Sequence, residues 1–352
     1  MKFLRYLLLP FSVVYAWILE IRNLLFDKGV LSSYEAPLPV ICIGNLNLGG
    51  TGKTPHAEYL IRLFSKEFKI ATLSRGYGRR SKGFRYVLAS SVATETGDEP
   101  LQLRKKFGDE IVVAVCERRK EGLLRLCNEH PETSLILLDD AFQHRQVRAG
   151  FNIMLSDYSH PFFRDFVLPA GNLREPRSGL KRADVVIITK CPEALSESKK
   201  DYFRKHISGK DVFFSSIRYG DPLSLHNSSI LQSPLTGSNV LLLTGIANSR
   251  PLEQYLAEKG CRVQSLEFPD HHEYSRADMD KLIAVFESMS EKNNIIVTTE
   301  KDAMRLRQPQ TLKLIENLPF YYVPIHIEFN DNDSSRFKNI LHRYVNENKK
   351  CG

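Results

Sequence analysis

Residues Val40–Thr54 read VICIGNLNLGGTGKT, and this stretch decides the fold. Val40–Gly44 is a short apolar run, the pattern of a buried strand. A glycine-rich turn follows, and from Lys53 the apolar residues Ala57, Leu60, Ile61 and Phe64 recur at helical spacing. Strand, glycine-rich loop and helix in that order make a phosphate cradle, because backbone N–H groups and a helix N-terminus face the ligand. Asn47, Leu48, Gly49, Gly50, Thr51, Gly52, Lys53 and Thr54 are therefore the candidate nucleotide-binding residues. In such a loop Lys53 reaches the β- and γ-phosphates, and the Thr54 hydroxyl binds magnesium. The pattern G-x4-G-K-[ST] has glycine where this chain has Asn47. Asparagine tolerates positive φ, so the turn is expected to survive.

Downstream, Leu135–Asp140 (LILLDD) places two carboxylates at the end of an apolar run. In P-loop enzymes an aspartate there holds magnesium, directly or through water, so Asp139 and Asp140 are both candidates. Either also suits the alternative of a helix N-cap after a strand. Guanine-specific relatives carry [NT]-K-x-D after a late strand; here that place reads Thr189–Pro192 (TKCP), which disfavours GTP and leaves ATP and Mg2+ as the expected cofactors.

Further apolar runs at 70–73, 111–115, 152–155 and 185–189 alternate with helical stretches such as Arg119–Glu129. Strands alternating with helices predict a parallel sheet covered on both faces. Near residue 220 the texture becomes turn-rich, and a second alternation follows through strands at 240–244, 263–268 and 295–299, with helices near 251–259 and 276–289. This predicts a smaller α/β domain. The β-rich segments Val212–Tyr219 and Phe320–Phe329 flank it and are expected to pair as a two-stranded connector.

The balance of 49 basic against 41 acidic residues gives a formal charge of +8, which favours an anionic partner. No clustered basic and aromatic stripe supports nucleic acid as that partner. Six cysteines lie far apart without a CxxC pair, so neither a zinc knuckle nor a dense disulfide framework is expected. Tyr6–Leu19 (YLLLPFSVVYAWIL) is almost wholly apolar. As a helix its 14 residues span about 21 Å, short of the roughly 30 Å hydrocarbon core. An uncleaved anchor lying in or dipping into a membrane's inner face is expected; the alternative is a buried first helix. The basic tail at Lys349 and Lys350 is expected to be solvated.

Several phrases together resemble the tetraacyldisaccharide 4'-kinase family. They are Gly44–Leu46 with Gly49–Pro55, Leu73–Arg79 (LSRGYGR), Gly97–Pro100 (GDEP), Asp139–His144 (DDAFQH) and Pro169–Pro176 (PAGNLREP). In the second half Phe268–His271 (FPDH) and Val297–Asp302 (VTTEKD) match as well. The matches run in order from about residue 40 to 305. One departure is Ala141, where the family usually has glycine.

The resemblance implies a P-loop NTPase-like, mostly parallel α/β core joined by a two-stranded β linker to a smaller α/β domain. The expected division is 1–30 membrane-associating segment, 31–218 kinase core, 219–319 smaller domain, and 320–352 returning strand and tail. It implies transfer of the ATP γ-phosphate to the 4'-hydroxyl of a tetraacylated glucosamine disaccharide 1-phosphate, a lipid A precursor. The expected place is the cytoplasmic face of the bacterial inner membrane, with no obligate protein partner. By motif, Asp98 matches the family's catalytic aspartate and His271 the histidine that pairs with it from the other domain. Without the resemblance, Asp98 reads as a helix cap and His271 as a surface histidine. A carboxylate suits the chemistry, since a sugar hydroxyl attacks only when its proton has somewhere to go. Arg174 is a candidate cation for the transferring phosphoryl group. Glu175 is a candidate for the magnesium shell. Arg75, Tyr77, Arg118 and Arg119 are candidates for the substrate's sugars or 1-phosphate. Another membrane-associated P-loop ATPase or a small-metabolite kinase is the alternative.

Overall fold

The computed structural model of the chain describes residues 5, 7–232, 234–289 and 293–349. Tyr6 of the apolar N-terminal run and Lys350 of the basic tail lie outside them. Among the described residues the strands form a nine-stranded sheet, a five-stranded sheet and a two-stranded ladder.

The larger sheet has at its centre the strand Val40–Asn45 (β1), buried at every position as its apolar run predicts. Across it the order is Ile325–Phe329, Asp211–Tyr219, Val185–Thr189, Phe151–Asp157 (β3), β1, Leu135–Asp139 (β2), Ile70–Ser74, Ile111–Val115 and Arg85–Tyr86. All neighbours pair in parallel except the two edge strands. A parallel sheet must be covered on both faces. Here the Lys53–Phe64 helix buries Ala57, Leu60, Ile61 and Phe64 on the side of Ile41 and Ile43, while Arg119–Glu129 buries Leu123 and Leu126 on the side of Val40 and Cys42.

The smaller sheet runs Leu223–Ser224, Phe320–Val323, Asn294–Thr299, Asn239–Thr244 and Arg262–Glu267, its last four strands parallel. One apolar cluster includes Leu101 and Leu103 beside Leu241, Leu243, Ala303 and Met304, so the two lobes are packed together rather than tethered. Ser215–Tyr219 does pair antiparallel with Ile325–Phe329. However, residues 211–214 already belong to the large sheet through Val185–Ile188. The paired segments thus extend the core sheet at its edge and do not form a free-standing connector. Beyond them, Asp331–Glu347 is not a bare tail but a helix burying Phe337, Leu341 and Val345 on the core.

The N-terminal helix, Leu9–Asp27, is inverted relative to an ordinary surface helix. Its buried residues are Ser12, Leu19 and Asn23, and the Ser12 hydroxyl accepts a hydrogen bond from the Ala170 amide at 2.9 Å. Phe11, Val14, Trp17, Ile18 and Ile21 face outward. The helix therefore rests on the chain by a narrow face, with most of its apolar surface uncovered.

Candidate active site

The phosphate loop leaves the carboxyl end of β1 between β2 and β3. Gly52 takes φ +84° as N-cap of the Lys53–Phe64 helix, and Gly49 takes φ +103°, values that side-chain-bearing residues adopt at a cost. A Cβ added at Gly50 would meet nothing within 4 Å, so open space lies against the loop backbone. The loop is braced from outside: Leu48 N–H donates to Asn172 O (2.7 Å) and Arg174 N–H to Leu46 O (2.7 Å). Asn47 is not among the positive-φ residues; it bridges to Leu173 in extended pairing. The asparagine therefore succeeds because this turn needs no left-handed residue there, not because asparagine tolerates one. Ala141 is likewise free of positive φ, and that strain falls on Asp140, at +49°.

Lys53 and Arg174 converge on Asp140. Lys53 Nζ is 3.5 Å from Oδ1, and Arg174 Nη1 donates to Oδ1 and Oδ2 at 2.9 and 3.0 Å. Burial pushes the Asp140 carboxyl up, but the two cations outweigh it and hold it below the usual carboxylate range. Asp139 behaves oppositely: burial first, then the charge of Glu99, drive its proton affinity upward. Its Oδ1 is buried without a hydrogen-bond partner. An unpaired buried carboxylate oxygen beside a phosphate loop fits a divalent cation. Among the described residues no group of three or more His, Cys, Asp or Glu side chains would hold a metal alone. Magnesium keeps most of its octahedron for phosphate and water, so it needs few protein ligands. Asp139 and Thr54 fit that ion, whereas Asp140 is engaged by its cations.

Glu175 does not fit it. The side chain is fully buried, both oxygens accept from Arg182 Nη2 (2.8 and 2.7 Å), and Oε1 also accepts from Gln143 Nε2 at 2.8 Å. It braces the loop from behind, because a carboxylate placed in an apolar interior takes the nearest guanidinium.

Asp98 opens the helix Asp98–Phe107, with Gly97 as its N-cap. Gly97 has φ +89°, and a Cβ there would lie 2.9 Å from Tyr77 O, so only glycine lets these segments approach. The Asp98 carboxylate is gripped from the smaller lobe. Arg305 Nε and Nη2 donate to Oδ2 at 2.8 and 2.5 Å, and His271 Nδ1 stands 3.5 Å away. Burial pushes this carboxyl up, yet His271 and Arg305 hold it below the usual range. His271 sits at φ +61°, with Lys301 Nζ 3.1 Å from its Nε2 and the Tyr77 ring 5.0 Å from its own. Arg305 Nη2 lies 3.3 Å from His271 Nδ1, so both ring nitrogens have a cationic donor beside them. Arg305 also donates through Nη1 to Asp302 Oδ1 and Gly245 O, both at 2.9 Å.

Sequence reasoning missed Arg305 and Lys301. Val297–Asp302 was singled out as a motif, and Arg305 lies one helical turn beyond Asp302, but nothing in that spacing says that it crosses to Asp98. The remaining candidates divide. Arg75, Tyr77 and Arg118 line an open cleft of about 710 Å3, with Arg79, Arg80 and Lys82 contributing further positive charge. Arg119 is not part of an exposed basic pair: it is 2% exposed, donates to Cys116 O at 2.6 Å, and burial lowers its pKa to about 10.

The family model for tetraacyldisaccharide-1-P 4'-kinase matches residues 4–346. The tetraacyldisaccharide 4'-kinase of Flavobacterium johnsoniae is 44% identical, over 99% of both chains. That of Bacteroides thetaiotaomicron is 41% identical, over 97% of this chain and 93% of its own length. A crystal structure of LpxK from Aquifex aeolicus in complex with ATP superposes with a TM-score of 0.77 at 29% identity, covering 97% of this chain and 99% of that one. The chain carrying this loop, acidic pair and cross-lobe carboxylate belongs to the tetraacyldisaccharide-1-P 4'-kinase family.

Proposed function

We propose that this chain transfers the γ-phosphate of ATP to the 4'-hydroxyl of a tetraacyl glucosamine disaccharide 1-phosphate. The observation that carries the reading is the placement of Asp98. Its carboxylate is held by His271 and Arg305 from the smaller lobe, while the helix it opens is tied to the phosphate-loop helix by Gln102 Nε2 donating to Glu58 Oε1 at 2.8 Å. One helix thus joins the phosphate site to a fixed, ionised carboxylate.

The loop amides of residues 47–54 and Lys53 bind the phosphates. Asp98 accepts the proton of the attacking hydroxyl; held below the usual range, it orients that hydroxyl more than it deprotonates it in advance, which suits a loose phosphoryl-transfer transition state. Arg174, released from Asp140, faces the charge that develops on the transferring group. Magnesium, when held by Thr54 and Asp139, neutralises phosphate charge. The basic cleft with Arg75 and Arg118 takes the substrate's sugar phosphate.

The two lobes, residues 31–218 and 219–319, work as kinase core and lid. The N-terminal helix associates with the membrane on the side where ATP is present. It is long and apolar enough to cross a bilayer by length and composition, and its exposed Trp17, Phe11 and Ile18 fit an interfacial or inserted face.

The test is transfer of labelled γ-phosphate to tetraacyldisaccharide 1-phosphate in mixed micelles, comparing wild type with Lys53→Ala and Asp98→Ala. Product from wild type and severe loss in both variants supports the reading. Absence of product from folded, ATP-binding wild type overturns the acceptor.

A further inference from the structure

Asn45 is the last residue of β1, immediately before the phosphate loop, and its side chain is completely buried. Neither its Oδ1 nor its Nδ2 has a hydrogen-bond partner. A buried carboxamide unpaired at both ends is among the costlier features a fold can carry, so its partner is to be sought in a ligand.

The sheet register says where that ligand sits. Ile43 pairs with Asp139 across the parallel ladder, so the two share a face of the sheet. Asn45, two residues beyond Ile43, lies on that same face, as does the Lys53–Phe64 helix, which packs with Ile41 and Ile43. Its unpaired atoms therefore share a face with Asp139 Oδ1, and in the loop that follows Asn47 Oδ1 and Thr51 Oγ1 are likewise buried without partners. Asn45 and Asp139 thus leave polar atoms unmet on one face at the carboxyl end of the sheet, where the phosphate loop begins, and Asn47 and Thr51 of that loop do the same. The Asn45 backbone carbonyl, by contrast, accepts from Gln143 Nε2 at 2.8 Å.

We infer that the Asn45 carboxamide is a ligand of the bound nucleotide's phosphate–magnesium unit. The amide NH2 is the only donor among those side-chain atoms besides the Thr51 hydroxyl, so it takes a phosphate oxygen. The acceptor Oδ1 takes a water of the ion's shell. This deepens the nucleotide reading of the loop and rests on it.

The test uses the full chain and three proteins: wild type, Asn45→Leu and Asn45→Ser. The readouts are binding of a fluorescent ATP analogue with and without magnesium, and thermal unfolding with no ligand present. Leucine shares asparagine's branched heavy-atom outline, with bulkier methyl ends, and removes both unpaired atoms. Asn45→Leu is therefore expected to unfold at a temperature equal to or above wild type, while binding the magnesium–nucleotide complex about ten- to a hundredfold more weakly. Serine, too short to reach, is expected to weaken binding similarly in a protein that tolerates a small polar residue there. Wild-type affinity in both folded variants overturns the inference. So does a clear fall in unliganded stability of Asn45→Leu with affinity unchanged, which would make Asn45 structural. If wild type itself binds no nucleotide, the reading of the loop fails, and the inference with it.

Discussion

Replacing Arg305 by methionine removes a cation that joins the two lobes, and the structure sets the size of the effect. The guanidinium is nearly buried and engages the carboxylates of Asp98 and Asp302 together with the Gly245 carbonyl. Asp302 is completely buried and Asp98 nearly so. Methionine fills much of the arginine's volume, so the loss is one of pairing rather than packing. Breaking a buried pair by removing one partner costs about 3–5 kcal/mol, a large share of the roughly 5–15 kcal/mol that holds a domain together. Arg305→Lys keeps a charge but not the fork that reaches two carboxylates, and is expected to lose about 1–3 kcal/mol. The pH dependence follows. In wild type the folded Asp98 pKa lies below its unfolded value near ~3.9, so its contribution is present in full above that pH and is lost as pH falls through the folded value. The deficit of Arg305→Met in urea unfolding, followed by circular dichroism, should be full at pH 7 and shrink on acidification below about pH 4. Without Arg305, burial of Asp98 is less well opposed, so the acid limb of kcat/KM should move to higher pH. Coincident unfolding curves at pH 7, or an unmoved acid limb, would refute this reasoning.

Three further outcomes are expected. Lys106 Nζ lies 2.6 Å from Glu58 on the phosphate-loop helix and 2.7 Å from Glu300 on the helix that carries Arg305. Lys106→Met should destabilise by about 3–5 kcal/mol in urea, and the combined Glu58→Gln, Lys106→Met, Glu300→Gln protein should recover much of it; equal losses in both would mean that shape rather than charge matters. Gly97→Ala forces a Cβ to within 2.9 Å of Tyr77 O at positive φ, so it should cost about 1–3 kcal/mol and lower kcat by displacing Asp98; a variant kinetically identical to wild type would count against that placement. Trp17→Glu with Phe11→Glu should reduce flotation with anionic lipid vesicles while leaving ATP binding intact, and undiminished flotation would remove the helix from membrane association.

What the sequence determined by itself was whatever depends on neighbours along the chain. The strand, loop and helix of residues 40–64 were legible because backbone hydrogen bonding, glycine conformations and apolar spacing are local. The second α/β alternation was legible for the same reason. Asp98 and His271 were reached only through the resemblance of their motifs, since a lone aspartate after a glycine and a lone histidine in a loop carry no local signal. The tertiary structure alone decided what depends on contact between distant segments. Arg305 reaches Asp98 across 207 positions, and no spacing rule spans that distance. The adjacent residues Arg118 and Arg119 look alike in sequence, yet one lines the cleft and the other is buried beneath it, because successive positions at a helix start point in different directions. Glu175 looked like a metal ligand until the fold put Arg182 and Gln143 against it. Electrostatic partners are chosen by proximity in space, and for these residues proximity is a property of the packed sheets and helices, not of the chain.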